Sequence, residues 1–161
     1  MSAQIKAGGE TARRHEVFAD GSLIIRAAQI PWTRWALPGT WFKLLDYDRN
    51  HSYTVILLKI DHDAPPTVHK HLGAANAYVI EGGFGYEHGE VYAGDYMVEA
   101  GGVTHTPHVH PGGSVLLGFM HGVVQGYNPD GSIAGVVDVD WYIDAAKKNN
   151  AFAHLENARR S

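Results

Sequence analysis

The sequence predicts an all-β fold, a sandwich or barrel of short strands closed by one C-terminal helix. Three observations carry this expectation. Short runs rich in β-branched and aromatic residues recur from Val17 onward, Gly, Pro, Asn and Asp separate them, and no helical period of useful length appears before residue 138. At 161 residues the chain has the length of a single domain, and at this size about two thirds of the unfolded surface can be buried.

The elements follow in chain order. Residues 1–16, beginning MSAQIKAGGETARRH, are small, polar and without apolar period, and read as a flexible N-terminal arm. Residues 17–161 read as one domain, with strands expected over 23–27, 40–46, 53–60, 77–81, 95–99, 115–120 and 132–137. Asn128-Pro129-Asp130-Gly131 is a strong turn, and Gly82-Gly83, Gly101-Gly102 and Gly112-Gly113 read as corners. The C-terminal helix is expected over 138–150. Asp138 or Asp140 caps it, Trp141 and Ala145 lie on a face beside that of Ile143 and Ala146, and Lys147 and Lys148 sit at its negative end. Trp32, Trp35 and Trp41 read as packing between barrel and arm.

Composition excludes several function classes. The chain has no cysteine, so disulfide scaffolds, thiolate zinc sites, iron–sulfur clusters and Cys nucleophiles are ruled out, and any metal must be held by nitrogen and oxygen. With 13 Lys plus Arg against 17 Asp plus Glu, nothing points to a nucleic-acid or anionic-membrane partner. The longest purely apolar run, at 55–58, is far short of a membrane span, and the absence of an apolar leader points to a cytoplasmic protein. There is no Walker loop, no Gly-x-Ser-x-Gly elbow and no His-Glu-x-x-His, and His88 stands where a dinucleotide fingerprint begun at Gly83 needs glycine.

The 11 histidines remain. His69 and His71 form a His-x-His pair in a segment that alternates like a strand, so both imidazoles lie on one face, as two ligands of one metal must. Spacing alone is weak, because chance placement of 11 His among 161 residues gives roughly 0.7 such pairs. His108 and His110 are a second pair, read as surface because Pro107 interrupts any strand shared with His105.

The run after the first pair is more specific. From His71 the chain reads LGAANAYVIEGGFGYEHGEVYAGDYMVEAGGVTHTP, which resembles the two motifs of the cupin superfamily. On that match Gly83 closes the first motif, Gly94-Asp95 opens the second, and Gly102 fills its turn. The resemblance implies a cupin double-stranded β-helix, a jelly-roll barrel with a short C-terminal helix, holding a metal at His69, His71 and His105. Cupins commonly carry a glutamate four or five residues after the second His, and here those positions are Ala75 and Asn76; Ala100 replaces the usual proline of the second motif.

A narrower resemblance runs from about Ile30 onward, to cupin dioxygenases that split activated ketones. It is nearest to the 2,4'-dihydroxyacetophenone dioxygenase group and more distant from acetylacetone-cleaving dioxygenase. Ile30-Pro31-Trp32, His69-x-His71, the strand through Tyr86, Glu99 six residues before His105, and Tyr127-Asn128-Pro129-Asp130-Gly131 carry it. It implies Fe(II) on three histidines without the glutamate, O2 as co-substrate and an enolisable hydroxyketone or diketone as the small-molecule substrate, in a homo-oligomer, dimer or tetramer. Three neutral imidazoles leave the cation its full double charge, which favours an anionic enolate. The same nitrogens accept Zn, Ni, Mn or Cu.

Around this centre the sequence offers further candidates. Asn76 stands at the missing glutamate's position, where its amide either reaches the metal or caps a turn. Glu99 is placed to orient the third histidine, as outer carboxylates do. Tyr78, Phe84, Tyr86 and Phe119 are candidates to line an apolar substrate pocket, and His121, just past the strand over 115–120, points either into the barrel or to the surface. The rival reading is a metal-binding cupin that is not an oxygenase, such as an isomerase, lyase or zinc-dependent sensor, since fold does not set function.

Overall fold

Two antiparallel sheets form the barrel wall in the computed structural model, which describes residues 14–156. The strands are β1 (Glu16–Val17), β2 (Leu23–Ile24), β3 (Thr33–Arg34), β4 (Thr40–Asp48), β5 (Tyr53–Ile60), β6 (His69–His71), β7 (Ala75–Tyr86), β8 (Gly89–Tyr92), β9 (Tyr96–Glu99), β10 (Thr104–His105), β11 (His108–His121), β12 (Val124–Tyr127) and β13 (Ile133–Val137). The larger sheet runs β3-β4-β5-β11-β7-β8 with β9 also on β7, and the smaller runs β10-β6-β12-β13. The all-β class and the single C-terminal helix are as the sequence predicts.

Period-two alternation decides which side chains enter the barrel. Ile56 and Leu58 on β5, Ala75, Ala77 and Val79 on β7, and Leu116 and Met120 on β11 are buried, while Tyr78 and Ile80 between them are exposed. The helix α1 (Val139–Lys148) begins where the Asp138 carboxylate accepts the Trp141 N–H at 2.8 Å. It buries Tyr142, Ile143 and Ala146, and the Tyr142 ring meets Phe42 edge-on at 5.1 Å. Trp35 stacks on Tyr142, and Trp32 lies under the Lys43 ammonium at 4.7 Å, while most of the arm they were expected to pack against lies outside the described residues.

Several expectations shift. Of the arm, residues 1–13 lie outside the described residues, and Glu16–Val17 pairs with Leu23–Ile24 as a small hairpin. The strands expected over 77–81 and 115–120 are parts of much longer β7 and β11, which run straight through two of the three expected corners. Gly82 and Gly113 face each other across that pairing, where the register shifts between Val109 and Ser114. A Cβ on Gly82 would run into the Gly113 carbonyl, and both glycines have positive φ, at 67° and 76°. Glycine therefore serves close backbone approach here, with no chain reversal. Gly101-Gly102 is the one pair that makes a turn, and its Gly102 N–H donates to the His71 carbonyl at 2.7 Å.

Candidate metal centre

Strand register brings three histidines together. β6 lies between β10 and β12, and His105 on β10 stands directly opposite His69 on β6. Directly opposed residues share a sheet face, so the imidazole from a distant stretch of chain falls beside the His69/His71 pair. On the other flank His69 faces Gly126 and His71 faces Val124, so β12 adds no polar group. All three histidines are buried, at 6%, 5% and 2% exposure. Their ring centres lie 5.1 Å apart for His69–His71 and 5.9 Å apart for the two pairs with His105. Imidazoles bound to one cation at about 2.1 Å have ring centres roughly 5 Å apart, so the set is slightly open on the His105 side.

The carboxylate expected to be missing is present, supplied by another strand. Glu99 pairs with Ala75 across β9 and β7, and because Ala75 points inward, Glu99 does too. Its Oε2 is 3.1 Å from His71 Nε2 and its Oε1 is 3.9 Å from His105 Nε2. Glu99 thus engages His71 more closely than His105, the histidine it was expected to orient. Motif spacing along the chain missed this because the contact is made through pairing across strands.

Electrostatics fit neutral ligands. Burial pushes the His69 imidazole down to about 4, with the neighbouring His71 acting in the same direction, so His69 is uncharged at neutral pH. Its Nδ1 is 3.1 Å from the Thr67 carbonyl, which fixes that nitrogen as the donor and leaves Nε2 with a free lone pair. Burial alone raises Glu99, but the His71 hydrogen bond and the surrounding imidazoles reverse this and leave its carboxyl below the usual range. On the far side of His105, Glu87 accepts the Thr106 N–H at 2.8 Å and stands 3.9 Å from His105 Nδ1.

His105 supplies the fit test for a cation. It is almost fully buried, yet neither ring nitrogen has a hydrogen-bond partner. Leaving such an atom unsatisfied costs about 1–3 kcal/mol, and a cation among the three rings removes that cost. Among the described residues no group of three or more His, Asp or Glu is placed so that it could hold a metal ion as it stands. The His71–Glu99 contact takes up an imidazole nitrogen that a cation needs.

An apolar cavity of about 80 Å³ opens onto His69, His71 and Glu99, with Leu58, Met97 and Leu116 in its wall. It has room for several waters or one small organic molecule. Among the aromatic candidates, Phe84 lines it, and Tyr86 packs edge-on against His105 at 5.7 Å. Four other candidates are corrected, all for parity along their strands. Tyr78 is exposed on the outer face. Phe119 lies beside it, opposite Asn76, and lines a separate outer cleft with His121. His121 is exposed, its ring 5.0 Å from Tyr53. Asn76 touches the cavity wall, but its amide donates to the Tyr96 hydroxyl at 2.7 Å on that same outer face.

Comparison with known proteins agrees with this architecture. The chain overlays an RmlC-like cupin from Ralstonia eutropha JMP134 with a TM-score of 0.71 at 19% identity, covering 80% of this chain and 87% of that one. A provisionally assigned acetylacetone dioxygenase from Methylibium petroleiphilum PM1 gives 0.65 at 19% identity, covering 76% and 92%. An acetylacetone dioxygenase from Acinetobacter johnsonii gives 0.60 at 16% identity, covering 88% and 95%. At these identities the likeness is one of fold. No curated protein matches the sequence. The ChrR Cupin-like domain family matches residues 20–125, most of the chain and all three histidines at the barrel mouth. On the strength of that match, the protein belongs to the ChrR Cupin-like domain family.

Proposed function

We propose that the chain is a non-haem Fe(II) dioxygenase that cleaves a carbon–carbon bond of an enolisable hydroxyketone or diketone, giving carboxylic acids. The observation that carries this reading is the meeting of three buried imidazoles, two of them, His69 and His71, lining a small apolar cavity and the third, His105, with both nitrogens unsatisfied. The fold likeness to acetylacetone dioxygenases supports it. His69, His71 and His105 would hold the iron, which when bound supplies charge stabilisation for an enolate and a route for its reaction with O2. The residues of the chain do the rest. Thr67 holds His69 in the tautomer that frees Nε2, and Glu99, now against His71 Nε2, would give up that contact when the cation binds. Glu99 is also the acidic side chain in the cavity wall, ionised at neutral pH and placed to accept the proton lost when the ketone becomes its enolate. Leu58, Phe84, Met97 and Leu116 exclude water and suit a ketone of few carbons.

One observation favours a second reading, a zinc-binding cupin without oxygenase activity. If Glu99 leaves His71 and joins the three imidazoles as a ligand, four protein donors close a tetrahedral shell and leave no position for substrate, as in structural zinc sites. The experiment that decides is elemental analysis of the purified protein. It is followed by oxygen-electrode assays of the iron-reconstituted chain over hydroxyacetophenones and β-diketones. Oxygen uptake with one of these ketones, lost together with bound iron in His105→Ala, is the expected result. Stoichiometric zinc with no uptake moves the assignment to the second reading, and full turnover by His105→Ala removes the barrel histidines from the reaction.

A further inference from the structure

The second His-x-His pair is built into the fold as deliberately as the first. On β11 Val109 faces the cavity, so its neighbours His108 and His110 face outward. Beneath them β7 carries no side chains on that face. A Cβ on Gly83 would stand 2.6 Å from His110 Nδ1, and one on Gly85 would overlap both the His108 ring and the Glu90 carboxylate. The two imidazoles therefore lie across a bare strand and meet one carboxylate from β8. His108 Nε2 is 3.3 Å from Glu90 Oε1, and His110 Nε2 is 2.5 Å from Glu90 Oε2. The Tyr92 ring, 5.0 Å from that of His110, supports the arrangement from the side.

We propose that His108, His110 and Glu90 form a second metal site, on the outside of the barrel, for a borderline divalent cation of which Zn2+ is the representative. Two neutral imidazole nitrogens and one carboxylate are a donor set such ions accept, and water completes the shell at an exposed position. Nitrogen and oxygen donors around a tetrahedral ion at about 2.0–2.1 Å stand roughly 3.3 Å from each other, the separation already found between His108 and Glu90. The shorter His110–Glu90 contact is a hydrogen bond, so the cation displaces a proton there and binding weakens as pH falls. The cluster does not hold an ion as it stands: its two imidazole centres lie 6.5 Å apart and must approach each other around the cation. His108 and Glu90 are about half exposed and must settle onto the ion, so micromolar binding is expected, weaker than at the buried centre.

Calorimetric titration of the full chain with Zn2+ after chelation, at near-neutral pH, tests this. Wild type is expected to bind two ions, and His110→Ala or His108→Ala to lose the weaker one by at least about tenfold while keeping the other. His71→Ala should keep the weaker and lose the tighter. His51→Ala and His121→Ala, at exposed histidines elsewhere, should change neither. The proposal is overturned if wild type shows no second ion, or if that ion survives in the His108→Ala/His110→Ala double variant, since Zn2+ then spreads over other surface groups. Retention of the tighter ion in the double variant reports that the barrel is folded. Failure of the barrel reading looks different: His71→Ala changes nothing while the double variant loses its ion.

Discussion

The molecule contains the same three-residue pattern twice, and the two copies end on opposite sides of one barrel wall. His69 and His71 are buried beside His105, with Glu99 against them, whereas His108 and His110 sit on the outer face against Glu90, the first of them 54% exposed. Period two guarantees only that the members of a pair share a face. Which face is decided by the strand's partners. β6 carries its histidines toward the core, opposite His105, while on β11 the inward position goes to Val109 and the imidazoles are turned out over Gly83 and Gly85. The consequences for chemistry differ. The inner rings are stripped of water, so a cation relieves an unsatisfied nitrogen of His105; the outer pair lies nearer solvent, where an ion pair is worth at most about 1 kcal/mol.

The strongest way to break the comparison is through the two carboxylates. Glu99→Gln removes the charge next to His71 inside the barrel and is expected to weaken metal retention by about 10–100-fold, read by competition with a chelator. Glu90→Gln should leave that buried ion untouched. Equal effects from both substitutions on the tighter ion would mean that the inner and outer clusters are not independent.

Much of this contrast was legible in the sequence, and the missing part has a physical cause. The strand over 53–60 ends where expected, the helix starts at its Asp138 cap, and His105 joins the first pair. These rest on local patterns or on a motif with fixed spacing. What sequence could not show was pairing across strands. Glu99 enters the barrel because it is registered with Ala75, while Asn76, Tyr78 and Phe119 face outward because they are one residue out of phase with Ala75, Ala77 and Met120. A one-residue error in phase moves a side chain through the wall, and without a partner strand the phase has no reference. The outer cluster was hidden for the same reason, since Glu90 and His110 are 20 residues apart and meet over a third strand.

The two glycines under the outer pair sharpen the comparison at the level of stability. A Cβ on Gly83 collides with the Val91 carbonyl, a backbone atom that cannot step aside, so Gly83→Ala is expected to destabilise the fold by about 1–3 kcal/mol in urea unfolding. The three atoms nearest a Cβ on Gly85 are all side-chain ends, of Glu90 and His108. Those side chains can swing into solvent, so Gly85→Ala should leave the unfolding midpoint nearly unchanged while abolishing the weaker Zn2+ site. A large loss of stability in Gly85→Ala would show that the His108–Glu90 contact is a structural tie.

The smallest expected effect isolates burial from metal chemistry. His154 is a buried imidazole belonging to neither pair, with Nε2 2.7 Å from the Leu44 carbonyl and its ring 5.1 Å from His15. Burial holds it below its ordinary value of 6.5; the Leu44 carbonyl opposes this and the nearby His15 adds to it. Below that ordinary value the unfolded chain takes up a proton that the folded chain resists, so the unfolded state binds more protons and stability falls as pH drops from 7 toward the depressed folded value. One such group contributes at most about 1.4 kcal/mol per pH unit. His154→Gln keeps a donor for the Leu44 carbonyl and cannot titrate, so the metal-free variant should lose part of the slope of unfolding free energy between pH 7 and 5. His15 and His69, which burial lowers in the same direction, add to the slope. An unaltered slope in His154→Gln would mean that this imidazole is solvated in the folded chain.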